Sequence, residues 1–467
     1  VALICNGEIY NYALLKMQYD FPHETDCDVE AIIHAYCKFG IDETVRKLDG
    51  VFAFCLVDGE SRKIYIARDP YGVRPLFVLD DKENSNMAIS SEAKGLMDLK
   101  KKSSVTSTLG QFPPGHIQTW NILENGMVKS EEMIQYFSPG TISPCFTPYV
   151  KTATLTKMSN QEKIAHLLEA ACEKRLMSDR RIGCLLSGGL DSSLISSLVV
   201  KLAKKHELAY KIQTFAIGMG ESPDLIAART VAEYLGTEHH EVRFNENDVA
   251  QVLDNVIYHL ESYDITTIRA SIPMYLLSKY IQENTNTTVV FSGEGADELA
   301  QGYIYFRDAP TAIAAHNESF RLLSNIYMYD GLRADRTTSA FSLEIRVPFL
   351  DIQFTHEYLH LDPELRQPQN GVEKYLGTSF ANSDLLPDSI LWRHKEAFSD
   401  GVASVKKSLF TTIAEIIKER FFDSREQYEG TQPTTMESKY YRHIFEKKFP
   451  GQYNFTPYYW MPKWVQV

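Results

Sequence analysis

The sequence is poor in the features that would tie it to a membrane, an oxidising compartment or nucleic acid. No apolar run approaches the length of a membrane span, and no secretory leader is visible. The seven cysteines (Cys5, Cys27, Cys37, Cys55, Cys145, Cys172 and Cys184) contain no C-x-x-C pair, and none lies beyond Cys184. An odd, irregular set in a large chain excludes a disulfide framework and a zinc site, and it sets the cytosol as the expected location. Basic charge is short as well: 48 Lys and Arg face 61 Asp and Glu, a formal net charge of -13. Without a dense basic stripe, neither nucleic acid nor a membrane surface is expected as a partner. An initiator Met is also lacking. The chain opens on the apolar run 1–5 (VALIC), which reads as a buried strand, so the expectation is a fragment whose N-terminal part is missing.

What is present is a globular composition, 44% hydrophobic and 23% charged over 467 residues, enough for two or three domains. The most informative stretch is 180–193, RRIGCLLSGGLDSS. An apolar run feeds a turn of small residues, and the turn opens a segment with helical spacing at Leu194, Ile195, Leu198, Val199 and Leu202. Gly188 and Gly189 let backbone N–H groups approach an anion, and Ser187, Ser192 and Ser193 add hydroxyls. The helix N-terminus adds positive dipole where a phosphate would sit. Asp191 has the wrong charge for a phosphate cradle unless it holds a cation shared with the phosphates, a role that suits Mg²⁺. The plainer alternative is a Ser/Gly-rich strand-to-helix turn, but it accounts for fewer of these residues. A Walker A loop is excluded because no Lys follows the glycines.

Before this stretch, short apolar or alternating runs at 1–5, 51–57, 64–67, 76–79 and 87–89 predict antiparallel sheet. One helix carries the face Val29, Ile32, Ile33, Tyr36 and Cys37. NGEIYN (6–11) follows the first run. Asn6 and Gly7 are the equipment of an oxyanion hole, although an Asn-Gly pair is equally a turn signal. Asp28 stands at a helix start, as a cap or as a carboxylate for a substrate ammonium. Residues 141–160 read as a linker.

After the Ser187 loop, runs at 212–219, 239–244 and 288–292 alternate with helical segments, one of them started by Ser222-Pro223-Asp224. Such alternation predicts a parallel sheet with ligand at the carboxyl ends of its strands. Ser292-Gly293-Glu294-Gly295-Ala296-Asp297-Glu298 directly follows one strand and reads as a metal or substrate loop rather than a solvated acidic turn. Thr266, Thr267 and Arg269 form a candidate grip for a small acidic substrate, and Lys395 a candidate pyrophosphate contact. The charges of 332–336, with Glu344, Arg346 and Asp351, predict internal ion pairs.

The SGGLDSS loop resembles that of ATP pyrophosphatases. NGEIYN, Asp28-x-Glu30, LDGVFAF (48–54), Arg68-Asp69-x-x-Gly72-x-x-Pro75-Leu76 and Ser91-Glu92-x-Lys94 resemble the glutaminase domain of class II amidotransferases. RRIGCLLSGGLDSS, QTFAIGM, YDITTIRAS, FSGEGADEL, GYIYF, LRADRTT, EIRVPFLD, KEAFSDG and YWMPKW extend the likeness, from about residue 160 onward, to eukaryotic-type glutamine-dependent asparagine synthetases. The resemblance implies a two-domain protein, α/β and α+β. An N-terminal antiparallel-sheet amidotransferase of the Ntn (αββα) type would span 1–140. A doubly wound parallel α/β synthetase of the PP-loop type would span 161–467.

It also implies ATP and Mg²⁺ as cofactors, and aspartate with glutamine or ammonia as substrates. A homodimer stays open. Aspartate would be adenylated and the acyl-adenylate attacked by ammonia. Leu185, Ile217, Ser292 and Gly293 would frame adenosine. Ser187, Gly188, Gly189, Asp191, Ser192 and Ser193 would surround pyrophosphate. Asp191 and Asp297 would hold the metal, and Glu294 would serve as base. Lys395, Thr266, Thr267 and Arg269 would complete the catalytic set. In the amidotransferase half, Asn6 and Gly7 would form the oxyanion hole, and Glu8 and Asp28 would help bind glutamine. That family's nucleophilic N-terminal Cys and its Arg-rich loop should precede Asn6, and Cys5 is no substitute, so use of free ammonia alone is expected. Arg68, Asp69, Ser91 and Glu92 would either line an ammonia passage or pack a domain seam. A β-lactam-synthetase-like ligase and a catalytically silent ATP-binding paralogue are the alternatives.

Overall fold

The computed structural model describes residues 1–22, 24–140, 149–368, 375–381, 383–393, 401–403, 408–420 and 427–464. Two compact units divide the chain, Val1–Thr152 and Ala153–Val467.

In the first unit the described strands are β1 (Ala2–Ile9), β2 (Gly50–Asp58), β3 (Lys63–Arg68), β4 (Phe77–Asp81), β5 (Asn86–Ser90), β6 (Thr108–Gln111), β7 (His116–Ile122), β8 (Val128–Ser130) and β9 (Ile134–Gln135). One antiparallel sheet runs β1-β2-β3-β7-β8 with β9 also on β7, and a second runs β5-β4-β6. Period-two alternation decides what each face meets. Ile64 and Ile66 of β3 face the second sheet, in a core with Ala53, Cys55, Leu76, Phe112 and Trp120. Tyr65 faces the other way, its ring 5.3 Å from Tyr36 of the helix Glu30–Phe39. Helix, sheet and sheet are thus layered.

β1 departs from expectation in two respects. It continues through Ile9, so Asn6 and Gly7 are strand residues opposite Ala53 and Phe52 rather than a turn. It is also an edge strand, with Ile4 65% exposed, because among the described residues β2 alone pairs with it.

The second unit is built on β10 (Arg181–Leu185), β11 (Gln213–Gly218), β12 (Glu238–Arg243), β13 (Thr287–Phe291) and β14 (Glu344–Arg346). The order is β12-β11-β10-β13-β14, and every neighbouring pair is parallel. After β10 the chain winds outward to β11 and β12, then returns to lay β13 on the opposite side of β10. The winding therefore reverses between β10 and β13, and in such sheets a ligand crevice opens beyond the carboxyl ends at that reversal. The helices Leu190–Lys205 and Pro223–Leu235 make the first two crossovers. Ser222 caps the latter by accepting the Leu225 N–H at 3.3 Å. No described helix is long and apolar enough to cross a membrane.

Candidate functional site

Both sequence-predicted loops leave the sheet where its winding reverses. Leu185 ends β10, Ile217 lies one residue from the end of β11, and Ser292 directly follows β13. These positions share one edge of the sheet. The loops also touch: a Cβ placed on Gly293 would lie 2.9 Å from the Ser192 N and 3.0 Å from the Asp191 Cβ. Gly188 has φ +74°, and a Cβ there would fall 2.4 Å from the Ala228 N of the neighbouring helix. Only glycine combines that backbone with that approach.

The 187–193 loop is held by its own hydroxyls. Ser192 Oγ accepts the Ser187 N–H at 3.2 Å and lies 3.0 Å from Ser187 Oγ. No side chain caps the helix Leu190–Lys205, whose N-cap is Gly189, so its dipole and first-turn N–H groups suit an anion. Ser193 differs from its expected place. The helical turn carries it inward to complete burial, so its hydroxyl is part of the packing, while its N–H donates to the Gly189 carbonyl at 3.1 Å.

Acidic residues gather behind the second loop. Arg333 Nη2 donates to Glu294 Oε2 at 2.8 Å and lies 3.0 Å from Asp330 Oδ1. Burial works against the charge of Arg333, but the two carboxylates outweigh it and raise its pKa. The Tyr303 hydroxyl lies 2.6 Å from Glu298 Oε1 and 2.8 Å from Asp330 Oδ2. Burial, then the charges of Asp330 and Asp297, push the Glu298 carboxyl well above its usual range. Among the described residues no three His, Cys, Asp or Glu side chains converge as a metal cage. The carboxylates of Asp191 and Asp297, one on each loop, are hard oxygen donors of the kind Mg²⁺ takes singly or in pairs, with water and phosphate oxygens completing its shell.

The structure commits the 264–269 stretch to protein partners. Asp264 is the N-cap of the helix Ile265–Asn284. Its Oδ2 accepts Thr266 Oγ1 at 2.8 Å, Thr267 Oγ1 at 2.7 Å and the Thr267 N–H at 2.9 Å. Its Oδ1 accepts the Trp460 N–H at 2.7 Å, tying the C-terminal segment to the same point. Arg269 pairs in bidentate fashion with Glu437, at 2.8 and 2.5 Å. Hydroxyls that donate inward can only accept from a ligand. The two threonine hydroxyls and the Arg269 guanidinium are thus engaged with protein partners.

The predicted internal ion pairs are present. Arg336 meets Glu261 at 3.0 Å, Arg346 meets Glu344 at 2.8 Å, and Asp351 lies between Lys174 and Arg175 at 2.5 and 2.7 Å. Lys395 lies outside the described residues.

In the first unit, Asn6 Nδ2 donates to Ser91 Oγ at 3.3 Å. A Cβ on Gly7 would fall 2.1 Å from the Val51 carbonyl oxygen, so β1 and β2 can pair here only through glycine. Asp28 does not cap its helix. Its Oδ2 accepts the Ile9 N–H at 2.5 Å, which sets it beside β1 and Glu8. Burial, then the charges of Asp28 and Glu8, push the Cys5 thiol up to about 12, and a thiol so shifted is no nucleophile at neutral pH. Arg68 donates to the carbonyls of Arg74, Phe112 and Gly72, and Asp69 accepts the N–H groups of Tyr71, Val73 and Arg74. Both order the 69–76 loop.

Sequence reasoning missed the part played by Asp330, Tyr303, Asp264 and Glu437. Only Arg333 gave a signal, as one charge in an ion-pair-rich run.

The family profile described as Asparagine synthase matches residues 163–321 and 307–466, and the one described as Glutamine amidotransferase domain matches residues 1–127. Over 475 aligned residues the chain is 51% identical to Asparagine synthetase (glutamine-hydrolyzing) of Gallus gallus. It is 49% identical to the protein so named in Cricetulus griseus and 48% to that in Homo sapiens. Each alignment covers 100% of this chain and 84% of the relative.

Proposed function

The chain belongs to the glutamine-hydrolysing asparagine synthetase family, and on that premise we propose that it converts aspartate to asparagine at the expense of ATP. The observation that carries this reading is the contact of Gly293 with Asp191 and Ser192, which joins a phosphate loop to an acidic loop at the winding reversal. Adenosine lies along Leu185, Ile217, Ser292 and Gly293. Pyrophosphate rests on the helix N-terminus with Ser187, Gly188, Gly189 and Ser192, and with Lys395. Ser193 supports that helix from within.

A β-carboxylate oxygen of aspartate attacks the α-phosphorus, and the bond to pyrophosphate breaks. Ammonia then attacks the activated carbonyl carbon, and the carbon–oxygen bond to AMP breaks. Asp191 and Asp297 would hold Mg²⁺, which when bound would supply neutralisation of phosphate charge. Glu294 takes the proton that nitrogen loses, and Arg333 fixes the direction of its carboxylate. Thr266, Thr267 and Arg269 hold the wall against which aspartate lies. In-line placement of carboxylate and phosphate, with charge compensation for the leaving group, is the protein's main contribution.

The first unit is read as a class II amidotransferase domain of Ntn type over 1–140, followed by a linker at 141–160 and the synthetase over 161–467. Asn6 and Gly7 serve there as oxyanion donors, and Glu8 and Asp28 bind glutamine. The irregular cysteines support a cytosolic setting.

The test is aspartate-dependent pyrophosphate release from Mg·ATP by the full chain, with ammonium or glutamine as nitrogen source. Release with ammonium, matched by asparagine, is expected. No release with either donor from folded protein contradicts the reading and favours a silent nucleotide-binding protein. The glutamine arm measures separately whether these 467 residues hold amidase activity.

A further inference from the structure

Buried arginines in the second unit follow one rule with one exception. Arg175, Arg333, Arg336, Arg346 and Arg442 each meet a carboxylate, at 2.7, 2.8, 3.0, 2.8 and 2.7 Å. Arg366 is completely buried, and among the described residues it meets none. Its Nη1 donates to His316 Nδ1 at 2.6 Å and its Nη2 to the Leu299 carbonyl at 3.2 Å, while Nε has no partner among the described residues. A buried cation left uncompensated is costly, so a fold that retains one calls for an explanation.

Its neighbours supply one. Leu299 ends the helical turn Ala296–Leu299, which carries Asp297. The Arg366 guanidinium carbon lies 5.7 Å from the Tyr358 ring centroid, and the Tyr358 side chain is likewise completely buried. Burial raises the Tyr358 pKa most, and the charge of Asp191 is among those that reach its hydroxyl. Arg366 thus holds the turn behind the acidic loop through a hydrogen bond, and the Tyr358 ring beside it lies within electrostatic reach of Asp191 on the phosphate loop. Two residues past Leu299, Gln301 is fully buried at φ +58°, and neither end of its amide has a partner among the described residues. The ground beneath the acidic loop is polar and incompletely satisfied.

We propose that Arg366 is a positioning residue that supplies a fixed positive charge beneath the two loops, compensated when the polyphosphate of the nucleotide binds. It acts through the Leu299 turn and Tyr358 and touches no substrate atom. In a buried setting such a charge is weakly screened, so it acts at the distance of a second layer. The proposal rests on the nucleotide-site reading above and adds the source of its counter-charge.

Binding of Mg·pyrophosphate to the full chain, measured by calorimetry, tests it, together with KM for Mg·ATP and for aspartate. Arg366→Met should weaken pyrophosphate binding and raise KM for Mg·ATP by about tenfold each, leaving KM for aspartate within about twofold. Arg366→Lys, which keeps the charge, should recover most of both. A folded Arg366→Met protein with wild-type pyrophosphate affinity overturns the proposal, as does Arg366→Lys being as impaired as Arg366→Met. Should Arg366→Met not fold, Tyr358→Phe is expected to weaken pyrophosphate binding about threefold, and no change there overturns the proposal. Wild-type protein that binds pyrophosphate but never consumes aspartate fails the function reading instead.

Discussion

The two units place their candidate chemistry in opposite ways. In the second, parallel strands deliver loops distant in sequence to one edge, where Gly293 packs on Asp191 and Ser192. In the first, Asn6 and Gly7 lie on an edge strand, and Asp28 meets the same strand at the Ile9 N–H from the approach to a helix. The parallel unit gathers its described groups by topology, at one edge of its sheet. The antiparallel unit puts its groups along one strand, where their surroundings depend on what covers that strand. The lesson is that ammonium-dependent chemistry should answer to the second unit's residues and ignore the first's.

The largest expected effect is at Glu294. Glu294→Gln keeps the shape beside Arg333 but removes the base, and ammonium-dependent asparagine formation should fall about 10²- to 10⁴-fold. Adenylation followed by pyrophosphate exchange should survive better. Gly293→Ala tests the contact itself: a methyl 2.9 Å from the Ser192 N forces the loops apart, and pyrophosphate release should fall about a hundredfold with little change in melting temperature.

Stability offers a further contrast. Asp351 lies buried between Lys174 and Arg175. Burial opposes its ionisation, but the two cations win and hold its pKa below the usual range. A depressed folded-state pKa gives stabilisation that is complete above the unfolded value of about 4 and lost as pH falls below it. Asp351→Asn should cost about 3–5 kcal/mol in urea unfolding at pH 7, and the loss should shrink in acid. The smallest effect is expected in the first unit, where Asp28→Asn should leave ammonium-dependent turnover within about twofold. A tenfold fall there would erase the contrast between the units.

Much of this was legible because the motifs are local. A strand-turn-helix phosphate loop declares itself within seven residues, and so does an acidic loop after a strand. The five early apolar runs of the first unit gave β1 to β5, although β1 ends later and lies nearer the edge than its apolar start suggested. β6, β8, β9 and β14 are two to four residues long, too short for a period to show. The helix Ile265–Asn284 hides for another reason. It is buried on many sides and holds Pro273, so its sequence has no polar face to mark it. The partners of Thr266, Thr267 and Arg269 come from the cap at Asp264 and from Trp460 and Glu437, 194 and 168 residues on in the two latter cases. No local pattern encodes such pairings. Arg366 was invisible for the same reason, since its peculiarity is a missing partner.

The most direct test of the account follows oxygen. Aspartate labelled with ¹⁸O in its β-carboxylate is supplied with Mg·ATP and ammonium, and the products are weighed by mass spectrometry. Attack of that carboxylate on the α-phosphorus predicts AMP carrying one ¹⁸O, with the other kept in asparagine. Unlabelled AMP alongside asparagine would contradict the acyl-adenylate route and the placement of aspartate at the two loops.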